Sequence, residues 1–78
     1  MTNLEKYNRV FRETFEIQTD DIQYLTYQGI TAWDSIGHMN LIAELEDAFG
    51  IELEADDIID FSGYQKGIEV LRKYNVEI

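Results

Sequence analysis

Apolar residues along this chain recur mostly at three- and four-residue spacing, the period of a helix with one face turned inward. From Asn3 to Phe15, Leu4, Tyr7, Phe11 and Phe15 keep that rhythm with Val10 beside them, while Glu5, Lys6, Arg9, Arg12 and Glu13 fall mostly elsewhere. This predicts an amphipathic helix of about three to four turns, with Thr2 or Asn3 able to cap its start. The clearest pattern runs from Ser35 to Phe49. There Ile36, Met39, Leu41, Ile42, Leu45, Ala48 and Phe49 form a broad apolar stripe and leave Asn40, Glu44 and Asp47 on the wet side. Asp34 or Ser35 can cap this helix, and Gly50 suits the left-handed position that ends one.

After Gly50, Ile51-Glu52-Leu53 reads as a short extended link. Asp56-Asp57-Ile58-Ile59-Asp60-Phe61 then reads as one or two helical turns, with acids at the end where the helix dipole favours them. Ser62 followed by Gln65 fits a capping box, ahead of a last helix from about Gly63 to Tyr74. Tyr64, Ile68 and Leu71 should point inward there, with Arg72 and Lys73 at its C-terminal end. Glu16 to Asp34 breaks the period. Asp20-Asp21 and Gly29 punctuate it, yet Ile22, Tyr24, Leu25, Tyr27, Ile30 and Trp33 give it enough apolar content to pack over the helices, with a short helical turn near Asp20 to Leu25. Phe15, Leu45, Phe49 and Ile68 are expected in the core. The fold class expected is all-α: one domain over residues 1–78, a four-helix bundle with three main helices, a short helix between the second and last, and a long first loop.

Size and charge narrow the function. A chain of 78 residues buries only about 60% of its extended surface on folding, so a deep enzyme pocket would have to be cut from the same small core. Binding, carrying or scaffolding is the better starting point. Sixteen acids face six Lys and Arg, for a net charge of -10 with His38 neutral. That balance opposes nucleic acid and anionic membranes, and favours partners that present basic surfaces. With no cysteine there is no disulfide or thiolate chemistry. No signal peptide is readable, and no apolar run approaches the roughly 20 residues needed to span a bilayer. A cytoplasmic monomer with no membrane span is the expectation.

The local signal for chemistry is Trp33-Asp34-Ser35-Ile36 feeding directly into the second helix. Spacing alone makes Ser35 a cap first. The same position also suits a serine bearing a phosphodiester, because first-turn amides and the positive helix end stabilise an attached phosphate. Asp34 would repel that phosphate; its roles are capping and offering a modifying enzyme a handle or a metal-bound contact. Asp34, Ser35 and His38 sit at helical spacing, but a hydrolytic triad also needs an oxyanion hole and a cleft that so short a chain does not supply. No catalytic residue is expected. One histidine and scattered carboxylates match no calcium or zinc spacing, so no metal site is expected either. Leu53, Ile58, Ile59 and Phe61 could border a small cavity between the second and third helices. Met39 is either packing or the rim where a partner meets the helix, and Trp33 is a loop anchor.

Asp34-Ser35-Ile36, then Leu41, Leu45-Glu46-Asp47, Phe49-Gly50-Ile51 and the acidic Asp56-Asp57 segment, resemble an acyl carrier protein, most specifically from Trp33 to Leu53. The resemblance implies that Ser35 receives 4′-phosphopantetheine from coenzyme A through a phosphopantetheinyl transferase. The thiol of that arm would then carry an acyl or aminoacyl group as a thioester between loading and accepting enzymes. Asp34 and Ile36 would serve the attachment site; Ile36, His38, Met39, Glu44, Glu46 and Asp47 would meet partners. Members serving fatty-acid synthesis usually carry an acid two residues past the modified serine, and often another three further on. Gly37 and Asn40 stand there instead, which points to a specialised stand-alone carrier, with Gly37 leaving room for a partner backbone or the arm. The alternative reading is an acidic helical interaction module without a prosthetic group.

Overall fold

A computed structural model describes residues 1–18 and 21–78. Four α-helices follow in order: α1 (Asn3–Phe15), α2 (Ser35–Phe49), α3 (Ala55–Asp60) and α4 (Tyr64–Arg72), with a 3₁₀ turn at Ile22–Tyr24 in the long first loop. The all-helical expectation therefore holds among the described residues. The turn foreseen near Asp20 to Leu25 corresponds to Ile22–Tyr24; Asp20 lies outside the described residues.

Each helix end has a local cause. Thr2 accepts from the Glu5 amide while the Glu5 carboxylate accepts from the Thr2 amide, so the start of α1 closes as a reciprocal box. Those bonds from Thr2 hold the Glu5 carboxyl below its usual range. Gly50 takes the left-handed conformation at φ 64° and returns its N–H to Glu46, ending α2 as its sequence predicts. The box expected at Ser62 and Gln65 does not form. Gly63 is the cap of α4, in extended conformation, because this stretch pairs with the long loop instead. Tyr27 donates to Ser62 and Tyr64 donates to Leu25, both at 2.9 Å, while the Gln65 amide reaches the Gln23 carbonyl. The last helix ends at Arg72, two residues before the expected Tyr74, and residues 73–75 turn so that Val76 folds back into the core.

The core is a cluster of rings. Tyr7, Phe11 and Phe15 descend one face of α1 and meet Trp33, Phe61 and Tyr64, with Phe11 touching all three in edge-on or stacked geometry. Leu41, Ile42 and Leu45 of α2 and Val70 and Leu71 of α4 fill the rest. Phe15 and Leu45 are buried as expected, whereas Phe49 and Ile68 pack only partly buried at its margin. The Tyr7 hydroxyl donates to the Tyr64 carbonyl at 2.7 Å, so α1 and α4 are joined by a polar bond inside the apolar cluster. Burial pushes the Tyr7 phenol far above its usual range, which keeps it a neutral donor. The long loop is therefore a packed layer: Trp33 anchors it in the core, and Leu25 to Tyr27 tie it to the start of α4.

Candidate functional site

Trp33, Asp34 and Ser35 lie where the loop turns into α2, and each has a separate task. The Asp34 carboxylate caps the helix, its Oδ1 accepting from the Gly37 amide at 2.8 Å, and its carbonyl takes the His38 amide. Ser35 is consequently the first helical residue rather than the cap. Its hydroxyl is exposed, with only a long contact of 3.4 Å to the Tyr27 hydroxyl. Because Gly37 and His38 are served by Asp34, the Ser35 and Ile36 amides are left at the open, positive end of the helix. An open helix end of this kind eases negative charge placed beside it.

Gly37 is buried against the chain's own loop. A Cβ there would stand 2.0 Å from the Ala32 carbonyl oxygen and 3.3 Å from Asp34 Oδ1. The room expected for a partner backbone or an arm is thus already taken by residues 32–34, a correction to the sequence reading. His38, read from sequence as a surface residue that meets partners, is half-buried and turns both ring nitrogens to partners within the chain. Trp33 Nε1 donates to His38 Nδ1 at 3.0 Å, and His38 Nε2 lies 2.8 Å from the Ile58 carbonyl. An indole N–H can only donate and a carbonyl can only accept, so the ring is the neutral tautomer with its proton on Nε2. The imidazole and the Trp33 indole lie within 17° of parallel, their ring centroids 6.2 Å apart. It offers Ser35 no general base, because both nitrogens are engaged elsewhere.

Beside Ser35 lies a groove of about 380 Å³ lined by Tyr27, Ser35, His38, Met39, Ile58, Ile59, Phe61 and Ser62. This is the cavity expected between the second and third helices, with Ile58, Ile59 and Phe61 on its wall and Leu53 elsewhere in the core. Its apolar wall is open to solvent, with Met39 53% and Ile59 77% exposed, and Ile36, next to Ser35 in the chain, is 73% exposed. Tyr27 and Ser62 belong to the site and were not foreseen; an aromatic ring in a polar loop was their only trace in the sequence. The acids of α2 are placed differently. Glu46 accepts from the Leu53 amide at 2.8 Å, fixing the link to α3. Glu44 and Asp47 face α1 beside Lys6 and Arg9, away from the groove. Among the described residues no group of three or more potential ligands converges on a metal position, and no helix is long and apolar enough to cross a membrane.

Residues 32–66 match the family described as a phosphopantetheine attachment site. Over 78 residues the chain is 31% identical to an acyl carrier protein of Lactobacillus johnsonii, covering 95% of this chain and 98% of that protein. The chain belongs to the acyl carrier protein family. No solved structure matches it. An acyl carrier protein is a non-catalytic carrier, and the group such a domain bears is 4′-phosphopantetheine, held covalently on a serine. An exposed serine hydroxyl at an open helix start, with an apolar groove alongside, is a site into which that group fits. The role of carrier also entails contact with modifying and acyl-handling enzymes.

Proposed function

We propose that Ser35 is the attachment point and that the chain carries acyl or aminoacyl groups, as thioesters on its arm, between biosynthetic enzymes. The observation that supports this most is the division of labour at the start of α2: Asp34 caps the helix, so the Ser35 hydroxyl has no structural task and stands exposed. In the loading step the Ser35 oxygen attacks the phosphorus that carries the pantetheine of coenzyme A. A phosphodiester forms at Oγ, the pyrophosphate bond breaks, adenosine 3′,5′-bisphosphate leaves, and the hydroxyl proton passes to a base of the transferase. The Ser35 and Ile36 amides then face the new negative charge. When bound, the arm supplies the thiol that this cysteine-free chain lacks.

Partners follow from charge and shape. A net charge of -10 speeds encounter with basic surfaces, and the exposed Met39 and Ile59 of the groove, with Ile36 next to Ser35, give the close apolar fit. The test is direct. Coenzyme A and a broad-specificity phosphopantetheinyl transferase should add the mass of one arm to the wild type and nothing to Ser35→Ala. A folded wild type that stays unmodified would sink this reading.

A further inference from the structure

His38 lines the groove beside Ser35 and is hydrogen-bonded on both of its ring nitrogens. Building on the reading of Ser35 as the attachment point, we propose that His38 is a specificity-determining bolt. It locks α2 to α3 beneath the groove, keeps the attached chain out of the core, and so selects acyl groups short enough to lie in the groove itself. A chain on Ser35 enters the groove between Met39 on one side and Ile59 on the other. To go deeper between α2 and α3 it must pass the imidazole, which spans from the Trp33 indole in the loop to the Ile58 carbonyl on α3. Tyr27 and Phe61 close on the same ring edge-on, at 5.3 Å and 6.1 Å. Behind it Trp33, Phe61 and Phe11 are fully buried, with Phe11 packed against both of the others.

Threading an alkyl chain through this point breaks both bonds of the imidazole. It strands the N–H of a fully buried indole and the Ile58 carbonyl, and methylene groups offer neither a replacement partner. A short acyl group resting against Met39 and Ile59 disturbs none of this. The polar bridge therefore sets a length limit that an apolar residue at position 38 would not.

The test uses Ser35→Cys, whose cysteine is unique because the chain has no other. Coupling with N-alkylmaleimides of graded length, from ethyl to decyl, places chains at the mouth of the groove without any transferase. The result therefore stands whether or not Ser35 accepts phosphopantetheine, and failure of that earlier reading shows separately as an unmodified wild type. The single tryptophan gives one indole N–H resonance. It should keep its position along the whole series, while Met39 and Ile59 resonances move. Thermal unfolding supplies the second readout, since each methylene that becomes fully buried raises Tm by about 3 °C or more. Adding His38→Ala should steepen the rise of Tm with chain length. So should the pair Trp33→Phe with His38→Ala, which removes donor and acceptor together and leaves no stranded indole. An indole resonance that migrates with chain length in the Ser35→Cys protein, or equal Tm slopes with and without His38, would overturn the bolt. If neither His38 variant folds, the indole resonance decides alone.

Discussion

At Gly37 the first turn of α2 passes so close to the preceding loop that the Ala32 carbonyl oxygen occupies the space of a side chain. Alanine there gains about 1 kcal/mol of helix propensity but must push rigid backbone aside, an overpacking cost of about 1–3 kcal/mol or more. Gly37→Ala should therefore lower Tm, in a domain where about 1 kcal/mol corresponds to roughly 4–8 °C; a rise in Tm on thermal unfolding would refute the close contact. The sequence announced Gly37 as unusual and misplaced the reason. A missing side chain signals a close neighbour without saying which one, and here the neighbour is five residues upstream. His38 was illegible for the same kind of cause: helical spacing set it beside Ser35, but its partners are an indole one turn back in the loop and a carbonyl 20 residues on. Ser35 stood out as the proposed attachment point, ahead of a helix cap, only through resemblance, and Asp34, one of two candidate caps, proved to be the cap.

Among the helices, α3 is the shortest and the least able to stand alone. Six residues fall well short of the length at which a helix holds itself together in water, so its neighbours must fix it. Lys73 and Tyr74 donate to the two oxygens of Asp57, the Tyr74 hydroxyl accepts from the Glu54 amide at 3.0 Å, and His38 holds Ile58 from the other side. Asp57 is buried, and the bonds from Lys73 and then Tyr74 hold its carboxyl below the usual carboxylate range. The bond to Asp57 in turn raises the Lys73 ammonium above its ordinary range. A lowered carboxyl contributes its stabilisation above its unfolded value of about 4 and loses it as pH falls through the lower folded value. Asp57→Asn should therefore be less stable than wild type at neutral pH, with the difference in Tm closing as pH drops below about 4. A difference that stays constant over that range would show that the ion pair contributes nothing. Helix existence and order were legible from period and glycine. The start of α4 was not: the Ser62–Gln65 spacing fits a local cap, whereas a loop some 37 residues earlier claims the backbone of Ser62 and Tyr64.

For the whole molecule, an excess of acids acts against a small core. Screening should relieve it. Raising sodium chloride from about 0.01 M to about 1 M shortens the screening length from about 30 Å to about 3 Å, and Tm should climb across that range; a flat profile would mean that the acids are spaced too widely to oppose folding. Composition foretold this balance, and the apolar content of the long loop foretold that it would pack over the helices, but not which partners would hold it there. That depended on Trp33, Leu25 and Tyr27 finding partners far along the chain. The cap at Asp34 has one more consequence. Since the cap draws nothing from the Ser35 hydroxyl, esterifying that oxygen would cost the fold no more than the long 3.4 Å contact to Tyr27. A group joined there would come and go without disturbing the hydrogen bond that starts α2.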